Sequence, residues 1–563
     1  MEDMQEATFN LVDEPWICAI TTTGQMVELS LRELFTNATQ LKALANDLPT
    51  QDFAILRMLV AIVQRATIEL LYESEYPSQA WGDLWNGETL PLSEINEYLD
   101  LWRGRFNLLD EKQPFMQVAG MHATNGKVKD IRSLLGISEN KPQLFPMRTL
   151  SGMESLSHAE AARWLLHIHA FDAAGIKSGV VGDANAKNGK SASTGLPGWA
   201  GGLGGVYLEG DTLAETLLLN LCPCADCRDN RDEFANLDDD LPVWERKPLT
   251  PGDEQRSPTG YADLYTWQSR RVLLKSHDGR IVGAVLTNGN KLAYQNQRAF
   301  EPMTAWRRSQ AQEKKLKITP VYLPYQHQSG KSFWRGLTVV LPERSLSATD
   351  SYSAPGIVYW AGFLASTNGG CQLSKSYPIR LHATGFVYGT QNAVITDMID
   401  DTLTLSAVLL SPEGADAADL AKRCMKDADS AVREFGSLAV NIKLASGLDH
   451  QLASAAREKA QAEAYYELDE PFRAWLYTLS SQLDKPLLRY EIAWHDTARS
   501  ILLRLSRQLM DEADDKAIQG RKVKQGGREQ WMSAGRAESL FLYGLGHALP
   551  RKQIDDTDST EGK

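Results

Sequence analysis

The residues best suited to chemistry are His167, His169 and Asp172, at the end of the segment LSHAEAARWLLHIHAF and directly before a glycine-rich stretch. Two imidazoles and a carboxylate could ligate a divalent metal or move protons. Helical spacing speaks against it, because residues two apart point about 200° away from each other. Cys222, Cys224 and Cys227, in CPCADC, form a second metal candidate. A structural zinc wants four ligands, so Cys18, Cys371, Cys424 or a histidine would have to complete the set. The alternative is a turn after a buried helix that carries thiols. Nothing matches H-E-x-x-H, a Walker A loop or a nucleophile elbow. The GxGxxG-like runs within 198–205 lack a strand that opens into a helix. Binding is therefore expected rather than catalysis, with no cofactor and no metal. A metal-dependent enzyme built on His167, His169 and Asp172 is the alternative.

Ten of the 42 glycines fall between Phe171 and Gly205. Glycine backbone can take φ > 0 and approach another backbone closely, as in loops that set amides against phosphates. Lys177, Lys187 and Lys190 outnumber Asp172 and Asp183 there, which favours an anion. A flexible linker is the other reading.

The elements that must carry these groups follow from 563 residues with 43% hydrophobic and 23% charged content. That is a soluble, multidomain composition. No apolar run is long enough to span a membrane, the acidic start lacks signal-peptide features, and six cysteines form no disulfide scaffold. A cytoplasmic protein is expected. The net charge of −13 disfavours indiscriminate duplex binding by the chain alone. Nucleic acid would have to be met through local patches or within an assembly that supplies positive charge.

The pattern predicts an α+β fold: a large mixed domain over 1–404 with short strands and helices, an antiparallel, four-helix-type bundle over 405–550, and a frayed tail at 551–563. The N-terminal FNLVDEPWICAITTTGQMVELSLRELF reads as a hairpin running into a helix. DFAILRMLVAIVQRATIELLY reads as a buried helix, and 111–120 as an extended segment anchored by Phe115 and Met116. Ser157 and Glu160 have capping-box spacing, and Asp211 is the expected cap of DTLAETLLLNL. RIVGAVLT, LTVVLP and PIRLHATGFVYG read as strands. Helices are expected over 413–446, 450–467, 470–483, 486–514 and 530–548, with Trp494, Ala498, Ile501, Leu505 and Leu509 on one apolar stripe. Between the last two, 516–530 reads as a basic loop with Arg521, Lys522, Lys524 and Arg528.

FNLVDEPWI, QPFMQ at 113–117, FDAAGIKSG and GGVYLEGDTLAETLLLNL at 204–221, with a mixed middle and a helical C-terminal region, follow one another across nearly the whole chain. In that order they resemble the large subunit (CasA family) of the type I-E CRISPR Cascade surveillance complex. The resemblance implies a non-catalytic subunit that reads a protospacer-adjacent motif (PAM) through the degenerate minor-groove code of duplex DNA. It also implies help in opening the duplex for R-loop formation and a docking surface for a helicase-nuclease. Expected partners are the other Cascade subunits, the CRISPR RNA, double-stranded target DNA with its displaced strand, and the recruited helicase-nuclease, with no membrane. Carried across, the resemblance places the family's glycine loop at Gly179–Gly182 after Lys177 and Ser178. It places the duplex wedge at Gln391 between Thr390 and Asn392, and the lysine finger at Lys291 or Arg298. It puts a guide-RNA or subunit contact at Phe145 and Arg148. Arg521, Lys522, Lys524 and Arg528 are candidates for a strand or partner contact. A protein-only scaffold, with the glycine stretch as a linker, is the remaining alternative.

Overall fold

Ser30 starts the first helix, Leu31–Thr36, through a reciprocal capping box with Glu33. The strands Ile17–Thr21 and Met26–Leu29 lead into it as the predicted hairpin. The computed structural model describes residues 8–136, 154–222, 238–252, 254–343, 350–482, 486–525 and 528–552. Phe145, Arg148, Cys224 and Cys227 lie outside these residues, as does most of the expected tail.

The chain forms two units. One comprises 1–333, 339–402 and 410–412; the other comprises 334–338, 403–409 and 413–563. At the centre of the first lies the helix Pro49–Ala66, in which every residue from Phe53 to Gln64 is buried. It packs against the helix His158–Phe171, whose N-terminus carries the expected Ser157–Glu160 capping box. Around them stand small antiparallel sheets. Gly205–Glu209 pairs with Pro378–Tyr388, from Thr384↔Gly205 to Arg380↔Glu209, and Ile395–Ser406 flanks the latter strand. Arg270–His277 and Arg280–Asn288 form a second sheet with Lys129–Asp130.

In the second unit, Ala415–Ser446 packs against each of three further helices, His450–Ser481, Leu487–Asp511 and Ala534–Ala548. The buried stripe of Leu487–Asp511 runs through Trp494, Ala498, Leu502 and Leu505, so Leu502 takes the place expected for Ile501. Among the described residues, no helix is long and apolar enough to cross a membrane.

Several local expectations fail. The two helices expected over 450–467 and 470–483 are one, continuous through Pro471. Proline removes a backbone bond there, but Leu468, Phe472 and Leu476 are fully buried beside it and hold the helix together. LTVVLP is not a strand: Leu337–Val340 is a helical turn, its β-branched preference overridden by burial of Leu337, Val339 and Val340. The cap of Leu213–Leu219 is Thr212 rather than Asp211, with Glu215 completing its capping box. The segment 111–120 is turns rather than extended chain, with Met116 at φ 52 and Phe115 in one ring cluster with Phe106 and Trp244. The basic loop is a short helix, Asp515–Gln519, followed by a hairpin of Arg521–Gln525 and Arg528–Met532.

Candidate nucleic-acid interface

The helix His158–Phe171 delivers its two histidines to different neighbours. His167 Nε2 lies 3.0 Å from Thr50 Oγ1, and His169 Nε2 lies 3.0 Å from the Met116 carbonyl oxygen. Burial pushes both imidazoles down to about 3, so both are neutral at ordinary pH. The two imidazoles are thus turned to separate partners, as the helical spacing predicts. Cys222 is buried, its Sγ 4.0 Å from the Gly356 carbonyl oxygen. In the second unit, Asp427, Glu491 and His495 bring ligand-type atoms within 4.8 Å of one another. The Lys552 ammonium already pairs with Glu491 there.

Asp172 caps the same helix and is the hinge of the site. Its buried Oδ2 accepts from Arg270 Nε at 2.5 Å and from Lys177 Nζ at 2.6 Å. Arg270 also donates to the Asp172 and Ala173 carbonyls at 2.8 and 3.2 Å. Burial alone would raise the carboxyl, but Lys177 and Arg270 outweigh it and hold Asp172 below its ordinary value. Two cations thus share one carboxylate beneath the glycine-rich stretch. Lys177, expected at a phosphate, is turned inward by this pair. Arg270 had one signal in the sequence: Arg270 and Arg271 stand directly before the apolar run 272–274, and both are buried.

The glycine-rich stretch is not a featureless linker. Lys177–Ser178, Lys190–Ser191 and Ala186–Lys187 form a small sheet in that spatial order. Gly179 donates its N–H to the Gly189 carbonyl at 2.9 Å, and its own carbonyl accepts from the Thr124 backbone amide at 2.9 Å. A Cβ at Gly179 would meet the Gly189–Lys190 backbone at 2.9 Å. Glycine is required here for packing, and its amide is already committed. What the GVVG segment presents outward is Val181, 62% exposed, and Gly182 at φ 90. Asn188 and Gly189, at φ 51 and 73, make the two-residue turn that sets Lys187 directly opposite Lys190. Like charges across a ladder repel. Both side chains are exposed, and among the described residues neither has a carboxylate partner. That pair is an anion-seeking feature.

Gln391 stands at the turn Thr390–Asn392, between the strands Pro378–Tyr388 and Ile395–Ser406. Its backbone is left-handed, φ 57 and ψ 22, and its exposed side chain has no hydrogen-bond partner among the described residues. Asn392, at φ 54, ties this turn to the glycine-rich stretch. Its carbonyl accepts from Ala174 N at 2.8 Å, and its Nδ2 donates to the Gly195 carbonyl at 3.1 Å. Tyr388 Oη donates to the Phe171 carbonyl at 2.5 Å. Two segments some 200 residues apart in sequence therefore adjoin. Lys291 is exposed beside the same stretch, at a crevice lined by Leu196, Trp199 and Arg270. Arg298 instead lies with its guanidinium 5.1 Å from the Tyr322 ring centre.

The supporting sheet holds a charge cluster of its own. His382 Nδ1 lies 2.7 Å from Tyr207 Oη and 3.2 Å from Glu209, and its Nε2 lies 2.5 Å from Asp400. Burial opposes the charged ring, but Asp400 and Glu209 prevail and raise His382 to about 9. A raised pKa gives stability that is complete below the unfolded value near 6.5 and is lost as pH rises through 9. Its full loss is on the order of 3 kcal/mol. Urea midpoints should fall from pH 7 to pH 10 in the native chain, and His382→Gln should flatten that slope.

The fold recurs in solved structures of known proteins. Over 97% of this chain and 99% of the other, the fold matches Thermobifida fusca Cse1 with a TM-score of 0.85 and 37% identity. For Acidimicrobium ferrooxidans Cse1 the TM-score is 0.78 at 28% identity, over 96% and 98% of the two chains. A Thermus thermophilus CRISPR-associated protein CasA/Cse1 is 30% identical over 345 residues, 60% of this chain and 61% of that relative. The architecture thus defines the class, a mixed α+β unit of small antiparallel sheets with a helical C-terminal region. Residues 10–505 match the family model for CRISPR-associated protein Cse1, and the chain belongs to that family.

Proposed function

We propose that this chain is a non-catalytic DNA-recognition subunit of a type I-E CRISPR RNA-guided surveillance complex. Solved chains of a CRISPR RNA-guided surveillance complex share its fold, at 16% and 18% identity. One observation carries the reading: an unpartnered glutamine on a sheet-supported turn is fastened by Asn392 to a lysine-bearing glycine stretch. In this reading Val181 and Gly182 meet the minor groove beside the PAM. Lys187, Lys190 and Lys291 take phosphates, while Lys177 and Arg270 stiffen the base from below. Gln391, flanked by Thr390 and Asn392, enters beneath the motif and replaces base stacking with a flat polar group. Base pairing to the guide then carries sequence specificity. Phe145 and Arg148 contact the guide-RNA end or a neighbouring subunit, and the chain offers a docking surface to the helicase-nuclease. Arg298 is a weaker finger than Lys291, because it already lies against Tyr322. The net charge of −13 suits a subunit held on DNA by its complex.

The test is the complex reconstituted with and without this chain, on duplexes that match the guide and carry a permitted or a scrambled motif. Gel shift reads motif binding, and permanganate reactivity reads opening. Gln391→Ala is expected to keep motif-dependent binding within a few-fold and to lose most opening. Native-like opening by Gln391→Ala, or opening indifferent to the chain, rejects the assignment.

A further inference from the structure

The hairpin Arg521–Gln525/Arg528–Met532 has two unlike faces. Val523 and Met532 are buried, and both strands contact the helix Ala415–Ser446. The Arg521 guanidinium is turned to the C-terminal end of that helix, against Gly447, where the exposed carbonyls favour a cation. Arg521 itself stays exposed. On the opposite face Lys522 stands directly across the ladder from Trp531, and Lys524 across from Glu529. Trp531 is 52% exposed although the hairpin beneath it is packed. Its indole nitrogen lies over Gly520, at φ 78, where a Cβ would come within 2.9 Å of it. That glycine leaves room for the ring to settle against the backbone. Lys522 is exposed and has no carboxylate partner among the described residues.

A half-exposed indole beside an unpaired ammonium, on a rigid two-stranded support, is the arrangement that binds unpaired bases. The ring stacks on a base, and the cation meets the adjoining phosphate. We infer that the Trp531–Lys522 face of this hairpin is a stacking site for single-stranded nucleic acid, taking one base on the indole and its phosphate on Lys522. Charge favours this over an acidic protein surface only in company with the ring, which offers a flat apolar face of base size. The inference extends the nucleic-acid reading of the chain, but its site belongs to the second unit and uses none of the residues assigned to motif reading.

Fluorescence anisotropy with the full chain and with the assembled complex tests it, using oligothymidylate and oligouridylate of about 16 nucleotides. These probes need neither guide nor motif, so failure here is separable from failure of motif reading. Trp531→Ala is expected to weaken binding about tenfold, and Trp531→Phe to restore most of it. Lys522→Ala should weaken binding and shallow the salt dependence by about 0.7 in log–log slope. Equal losses for the two oligonucleotides assign the shared base and phosphate chemistry, whereas a larger loss for one identifies DNA or RNA as the ligand. Native-like affinity of Trp531→Ala for both probes, in a variant with an unchanged melting profile, overturns the site. So does a defect confined to subunit assembly, which would make the face a protein interface.

Discussion

Asp172→Asn is expected to destabilise the first unit by about 3–5 kcal/mol, the loss typical when one partner of a buried ion pair is removed. Lys177 and Arg270 would then face each other beneath the glycine-rich stretch without the carboxylate that separates them. Against a total stability of roughly 5–15 kcal/mol for a folded protein, that is a large fraction. Urea denaturation gives the stability, and a double-mutant cycle with Lys177→Met gives the coupling, expected to exceed about 1 kcal/mol. The double variant should be more stable than Asp172→Asn alone, because it removes one of the two stranded cations. Motif-dependent DNA binding should fall in parallel, since Lys177–Ser178 is one strand of the small sheet that fixes Lys187 and Lys190. Unchanged stability in Asp172→Asn would reject the role given to this carboxylate.

An effect of similar size is expected at Glu301. Its carboxylate accepts from both terminal nitrogens of Arg57, each at 2.8 Å, and from the Trp199 indole at 2.7 Å. All three side chains are buried. Arg57 is further held 4.5 Å from the Tyr265 ring centre. Glu301→Ala leaves a buried guanidinium and a buried indole N–H with their main acceptor gone, at about 3–5 kcal/mol. Pairing Arg57→Met with Glu301→Leu should recover much of the loss, because apolar groups of similar volume need no compensation. Trp199 begins the turn Trp199–Gly202 at the far end of the glycine-rich stretch and stacks 4.9 Å from Tyr294. Limited proteolysis should therefore show earlier cleavage between 183 and 198 in Glu301→Ala, while the double variant resists it. Identical proteolysis in all three proteins would show that the buried pair does not order the loop.

What the sequence reveals and what it hides divide along range. Ser30 with Glu33 and Ser157 with Glu160 satisfy helix ends through residues three apart, so their spacing is sufficient to find them. The buried helix at 49–66 announces itself by being apolar over most of its surface, and the C-terminal helices by periodicity. Arg57 and Glu301 are 244 positions apart, and Arg270 and Asp172 are 98 apart. No local pattern connects such partners; Lys177 and Asp172 are near in sequence, but they lie past the end of the helix, where no regular spacing signals their pairing. Gly179 was legible as a glycine that matters, but the cause is close packing rather than a bare amide. Gln391 was placed on its hairpin through the family resemblance, whereas its union with the glycine stretch through Asn392 depends on tertiary structure. Pro471 misled for the opposite reason, since a rule true of isolated helices yields to the aromatic packing around Phe472.

The order of the strands has a consequence during synthesis. Apart from a bridge of Gly205 to Thr304 and a bond from Val206 N to the Met303 carbonyl, Gly205–Glu209 finds its ladder in Pro378–Tyr388, and the first unit draws on residues as late as 412. At about 5–20 residues per second, roughly 10–35 s separate translation of these two strands. Throughout that interval the nascent chain carries a strand without its main ladder, a ready template for wrong pairing. Ribosome-bound chains halted before residue 378 should therefore be the aggregation-prone species, because the sheet under Gln391 cannot close before Pro378–Tyr388 is made.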